Sequence, residues 1–320
     1  MSTEFERFAL NGPTMGTRWS AVFHATEAPD ASLTTALQAA VDAVDSSMST
    51  WKPDSELMQL NQTPPGAWMS ASPQLCAILA LSLQIGQASQ GAFDIGVGAA
   101  VNAWGFGPAR PAPDSRVIAA LTGPQTALAT LEVDVAGGRL RRLQDVQLDL
   151  CGIAKGHGVD CLADVLLAEG IENFVVSIDG EVRARGTRPD GSGWVVGLER
   201  PERDKRILAR TIAVSDLAMA TSGDYRHFRS HGYAVVSHTI DPRSGAPLQG
   251  SVCAVTVTAE HCAIADAWAT ALMVLGETAG PAMADQLGLD ALFTLRRPDG
   301  FHDIGVGAFA ALSNPSIGGN

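Results

Sequence analysis

Fifteen residues toward the C-terminal end, CAIADAWATALMVLG from Cys262 to Gly276, restrict the folds open to this chain more than any other stretch. Nearly every residue there is apolar or small, so the segment reads as a helix covered on most sides. Asp266 and Thr270 interrupt it four residues apart, which sets both side-chain oxygens on one face, one turn from each other. A carboxylate without a partner does not stay ionised in such a place. The residues allow two readings. The pair shares one bound partner, or Asp266 accepts backbone N–H groups while Thr270 bonds a carbonyl of its own helix.

The rest of the chain sets the context for that helix. With 320 residues, 46% of them hydrophobic, and 33 glycines, it has the composition of a compact globular protein. A net charge of −12 disfavours nonspecific binding to nucleic acid or to an anionic membrane, so any phosphate-bearing ligand needs a local lysine or a metal. The five cysteines (Cys76, Cys151, Cys161, Cys253, Cys262) are an odd number without CxxC spacing, which favours reduced thiols and argues against zinc. The opening MSTEFERFALNGPTMG is charged, and every later apolar run has a polar break before transmembrane length; neither a signal peptide nor membrane insertion is expected.

Helical periodicity runs through Leu33, Leu37, Val41, Val44 and Met48. A second helix is expected with Ser72 as N-cap, Pro73 at its first position and Gly91 just past its end, and a third from about Lys155 to Glu169, stopped by Gly170. NFVVSI, WVVGLE, TIAVSD and CAVTVTA read as strands. Helices and strands come in blocks, the mark of an α+β fold. The Pro-rich GPARPAPDS, Gly107 to Ser115, reads as a surface connection and does not by itself divide the chain. DIGVGA occurs twice, at Asp94 and at Asp303, with unmatched flanks, which reads as chance or a shared local turn.

Around Lys155, LDLCGIAKGHGVDCLADVL places Gly152, Gly156 and Gly158 at a helix entry. Such a loop lets backbone approach phosphate, but there is no GxxxxGK[ST], and a GxGxxG starting at Gly156 ends on Cys161. On the loop alone, a helix-entry turn with a surface lysine is the plainer reading.

In order along the chain stand MGTRW (Met15 to Trp19), MSTWKPDSELMQLN (Met48 to Asn61), GAFDIGVGAAVNAWGFGP (Gly91 to Pro108), LDLCGIAKGHGVD, MATSGDYRHF, SHTIDPRSG and ADAWAT. This series resembles the ApbE flavin transferases, most strongly over residues 14–276, within what is expected to be one domain of 1–320. Trp51 stands where the family usually has Tyr, and His157 replaces an aromatic Tyr. After NFVVSI the family usually has Gly-Gly and an acid; here Asp179, Gly180 and Glu181 follow, a change expected to alter backbone approach to the nucleotide.

The resemblance implies an α+β fold of mainly antiparallel sheets flanked by helices, with the active site in a cleft between two subdomains. It implies transfer of FMN from FAD to a Thr or Ser hydroxyl of an acceptor protein, with release of AMP. An FAD pyrophosphatase, in which water replaces the hydroxyl, and a flavin-binding protein without turnover are the alternatives. Mg²⁺ would be held by Asp266, Thr270 and the carbonyl of Ala154, a hard all-oxygen set. Lys155 would stabilise phosphoryl charge and His238 would take the acceptor's proton. Met48, Phe93, Asp94, His157 and Glu181 are the implied cofactor contacts, with Trp104 and Phe106 packing the pocket wall. Asp241 either orients His238 or caps the turn before Pro242, whereas His227 and His231, four apart, read as a solvated face. Many relatives are exported lipoproteins; without a lipid-bearing cysteine near its start, this chain is expected in the cytoplasm, or in the periplasm if a leader was removed.

Overall fold

The computed structural model describes residues 5–109, 112–121, 126–203, 205–226, 228–231 and 234–313. The chain opens with a long hairpin, β1 (Glu6–Thr14) and β2 (Thr17–Ala25), turned at Met15 and Gly16, both with positive φ. Such a turn matches the twist of the strands it joins. Pro13 is tolerated because β1 is an edge strand. Helix α1 (Ala31–Met48), capped by Asp30, buries the predicted face of Leu33, Leu37, Val41, Val44 and Met48.

A small helical region follows. It holds α2 (Glu56–Gln62), α3 (Pro73–Ala88), α4 (Gly98–Ala103), α5 (Ser115–Ala119), α6 (Ala127–Thr130) and a three-stranded sheet of β3 (Trp68–Ser70), β4 (Leu131–Asp134) and β5 (Arg139–Arg142). Ser72 caps α3 through the Leu75 N–H at 3.2 Å as expected, but the helix ends at Ala88. Gly91 lies three residues further on and returns its N–H to the Gly86 carbonyl. The Pro-rich connection lies partly outside the described residues.

Helix α7 (Ala154–Ala168) leads into the strands β6 (Phe174–Ile178), β7 (Glu181–Arg185), β8 (Trp194–Glu199), β9 (Leu208–Val214) and β10 (Leu217–Gly223). The short hairpins β11 (Phe228–His231) with β12 (Ala234–Ser237), and β13 (Ile240–Asp241) with β14 (Ala246–Pro247), precede β15 (Val252–Ala259), α8 (Cys262–Leu287), β16 (Asp290–Arg297) and β17 (Gly300–Val306). Eight strands form one antiparallel sheet in the order β1-β2-β6-β7-β10-β15-β16-β17. Helices α1, α7 and α8 cover one face, and the β8–β9 hairpin covers part of the other through Leu198, Met219 and Leu292.

Helix α8 is long and apolar enough to cross a membrane by length and composition, yet it packs on β10, β15 and α7 as the core helix of the domain. It is interrupted at Gly276, where φ of 79° and ψ of −170° leave the helical region. Side-chain-free glycine takes that conformation without steric cost, so the apolar run read from the sequence is the first arm of a broken helix. Two apolar clusters meet along α7 and α8: Ile153, Ala154, Ala263 and Ala267 belong to one, Val159, Leu162 and Cys262 to the other.

Candidate active site

The site lies on that seam. Gly156 and Gly158 are inside α7 rather than in a loop before it. A Cβ on Gly156 would fall 2.4 Å from the carbonyl oxygen of Cys262, so glycine is what lets α7 and α8 cross backbone against backbone. A Cβ on Gly158 would fall 2.8 Å from Ile178 Cδ1, bringing α7 onto the sheet. Gly156 and Gly158 therefore serve helix packing from within α7, rather than forming the helix-entry turn read from the sequence.

That crossing delivers the Asp266 carboxylate to the N-terminus of α7, where Oδ2 accepts the Gly156 N–H at 3.0 Å. Free N–H groups in a first helical turn make such a position favourable for an acid. Asp266 is nevertheless only 4% exposed. Burial, and then the like charge of Glu181, push its pKa from 3.8 up to about 7, against the pull of Lys155 and the Gly156 N–H. Lys155, on the next residue back, donates from Nζ to Glu181 Oε1 at 2.6 Å and has Asp179 Oδ2 at 3.8 Å. Burial works against its charge, but Glu181 and Asp266 outweigh that and hold the ammonium above its ordinary pKa. Glu181 is 2% exposed, so the lysine partly neutralises a carboxylate that water cannot reach.

Thr270 turns its hydroxyl across to Ser222 Oγ on β10, at 3.0 Å, rather than to a carbonyl of its own helix. A Cβ on Gly152 would lie 3.2 Å from both Thr270 Oγ1 and Phe93 Cε2, so this glycine leaves room for the hydroxyl and the ring around one point of the backbone. Among the described residues no group of three or more His, Cys, Asp or Glu is arranged for a metal. A cation here would be held by mixed oxygens, and the residues fit one. The Asp266 carboxylate is held near neutrality by burial and a like charge, a Thr hydroxyl stands one turn away, and Ala154 opens the helix they face. A hard divalent ion reverses such a pKa shift, because it favours the ionised form that burial opposes.

The other expected residues divide. Met48 ends α1 in the same apolar cluster as Phe93 and Ala154. Asp94 is buried, and its carboxylate accepts the N–H groups of Gly96 at 2.7 Å and Ala127 at 2.9 Å, so it orders the entry to α4 and α6. His157 faces Cys161 Sγ at 3.6 Å, one turn along α7, and burial lowers its pKa. His238 stands between β12 and β13, half-buried, its ring edge-on to Phe106 with centroids 6.3 Å apart. Asp241 caps its turn by accepting the Arg243 N–H at 2.9 Å and also pairs with that guanidinium. Arg243 in turn reaches the Val274 carbonyl at 3.4 Å, one turn beyond Thr270, tying the His238 segment to α8. Trp104 Nε1 donates to the Gly245 carbonyl at 2.9 Å and walls the same segment. His227 lies outside the described residues.

Sequence reasoning missed Ser222 and Asp160. Asp160 accepts the N–H groups of Cys262 and Ala263, each at 2.9 Å, and pairs with Arg183 at 2.8 Å. It thereby caps α8 and fixes where Asp266 lies. Neither residue carries a spacing signal, since each acts through an element far away in the chain. Beyond Lys155 a cleft of 320 Å³ opens under the β8–β9 hairpin, lined by Glu181, Thr221 and Tyr225 and by the ion-paired Arg210 and Asp303.

The model of the ApbE family matches residues 15–293. The FAD:protein FMN transferase of Vibrio cholerae is 36% identical over 311 residues, spanning 95% of this chain and 92% of that protein. The one of Klebsiella pneumoniae is 35% identical, over 91% of this chain and 85% of its own. Among solved structures, the flavin transferase ApbE of Vibrio cholerae matches with a TM-score of 0.85 at 35% identity, covering 97% of this chain and 100% of that one. The apo flavinyl transferase ApbE of Pseudomonas stutzeri matches with 0.85 at 33%, covering 97% of each. The chain belongs to the ApbE family.

Proposed function

We propose that this protein is an FAD:protein FMN transferase that moves FMN from FAD to a Thr or Ser hydroxyl of an acceptor protein. The names of relatives aligned over more than nine-tenths of the chain support that reading. The observation that carries it is the cluster of Lys155, Glu181 and Asp266 at the α7–α8 crossing, with Thr270 one turn on.

In the reaction the acceptor oxygen forms a bond to the phosphorus of the FMN half. The bond from that phosphorus to the bridging oxygen breaks, and AMP leaves with the electron pair. Asp266, Thr270 and the Ala154 carbonyl would hold Mg²⁺, which when bound would supply positive charge for the phosphoryl oxygens. Lys155, kept cationic by Glu181, adds a second positive charge beside them. His238 accepts the proton that the acceptor hydroxyl loses. Met48, Phe93, Asp94 and His157 form the flavin side of the site in this reading.

Incubation with FAD, Mg²⁺ and a candidate acceptor protein, followed by tandem mass spectrometry, tests the assignment. FMN esterified to a Thr or Ser is the expected product, and free FMN with AMP and no adduct would replace transfer by hydrolysis. In the same assay His238→Asn is expected to slow transfer by roughly 10²- to 10⁴-fold with FAD affinity little changed. Weaker FAD binding at unchanged turnover would make His238 a binding residue.

A further inference from the structure

Ser222 has no part in the proposal above, yet it holds the one hydroxyl that proposal assigns to the metal. It sits on β10, half-buried, with Oγ 3.0 Å from Thr270 Oγ1. The strand alternates its faces here. Thr221 turns to the hairpin side and bonds Thr256 at 2.8 Å, while Ala218 and Ala220, in step with Ser222, are fully buried beneath the helices. The Ser222–Thr270 contact thus joins the central sheet to α8 at the site itself.

A threonine hydroxyl carries one proton and two acceptor lone pairs. A threonine inside a helix ordinarily donates that proton to the carbonyl one turn back, which turns its lone pairs with it. Thr270 instead pairs its hydroxyl with Ser222 Oγ on the neighbouring strand, at 3.0 Å. Between two hydroxyls either can donate. A cation on the Thr270 lone pairs repels its proton and selects one direction, Thr270 donating and Ser222 accepting.

We infer that Ser222 is a positioning residue: it takes the Thr270 proton and so aims the Thr270 lone pairs at a bound divalent cation. The inference rests on the reading of Thr270 as a metal ligand. Partners of this kind, one step behind the ligand, typically change metal affinity by about 10- to 100-fold when removed.

The test titrates Mn²⁺ alone, without FAD, into wild type, Ser222→Ala, Ser222→Thr and Thr270→Ala, reading the rise in melting temperature. Ser222→Ala is expected to raise the Mn²⁺ midpoint about 10-fold. Ser222→Thr, which keeps a hydroxyl on a strand that suits β-branched residues, is expected to stay close to wild type. Metal-free melting temperatures of both should match wild type, which separates aiming from a structural role. If Thr270→Ala weakens Mn²⁺ and Ser222→Ala does not, the inference about Ser222 is wrong and the metal reading stands. If Thr270→Ala leaves the response unchanged, or wild type shows none, the metal reading fails and this inference with it.

Discussion

Two buried aspartates, Asp160 on α7 and Asp266 on α8, each bond the other helix's backbone at the same crossing, yet their environments are opposite. Asp160 receives two backbone N–H groups and a guanidinium, all within 2.9 Å. Asp266 receives one backbone N–H and looks toward another carboxylate. The first is satisfied and holds helices together. The second is short of donors in a place where ionisation is costly, the condition that a bound cation would relieve. Burial alone does not mark a functional acid; burial with too few donors does.

The largest effect expected from breaking this contrast is on turnover. Asp266→Asn keeps an acceptor for the Gly156 N–H but removes the charge, so Mg²⁺-dependent transfer should be lost while the metal-free melting temperature is kept or raised. Turnover near the wild-type level would mean that Asp266 holds no metal. Asp160→Ala should do the reverse. It leaves α8 uncapped and Arg183 without its nearest carboxylate, costing about 3 kcal/mol by denaturant unfolding, while molecules that remain folded still catalyse. A loss under about 1 kcal/mol would deny Asp160 its holding role.

The two acids should also differ in pH dependence. The Asp266 carboxyl is raised from 3.8 to about 7, so the metal-free fold retains a proton between those values that the unfolded chain has lost. Its contribution to stability is full below 3.8 and is lost as pH rises through 7. Wild type should therefore lose melting temperature relative to Asp266→Asn between pH 5 and 8 (approximate limits), and the stabilisation by Mg²⁺ should grow over the same range. Parallel pH profiles for the two proteins would contradict the shift. The smallest effect concerns the lysine's second partner. Asp179 has φ of 55°, a conformation costly for a residue with a side chain, and its pairing with Lys155 is long and partly exposed. Asp179→Gly should stabilise the fold by about 0.5–1 kcal/mol, read from denaturant midpoints; destabilisation would show that the 3.8 Å ion pair outweighs the strain.

Sequence made α1, the cap of α3 and the start of α7 legible, because caps and apolar periodicity act within one element. It placed Asp266 and Thr270 on one helix face for the same reason. It suggested only a short strand-like lead before α1, where the structure has the long β1–β2 hairpin, since Gly12 and Pro13 interrupt a strand that its neighbour supports. The repeated DIGVGA makes the limit plain. At Asp94 the hexapeptide caps a 3-10 turn and enters α4; at Asp303 it ends β17, paired with Thr294 on β16. Identical residues adopt a helix entry or a strand according to what packs beside them, so no shared turn exists. Ser222 and Asp160 were hidden by the same physics, since their partners are distant in sequence.

The measurement that tests the account most directly counts AMP released against FMN attached to an acceptor protein, with and without Mg²⁺, for wild type and Asp266→Asn. The account predicts one AMP per adduct for wild type with Mg²⁺, and neither product without Mg²⁺ or from Asp266→Asn. AMP released without adduct, or adduct formed equally by Asp266→Asn, would contradict it.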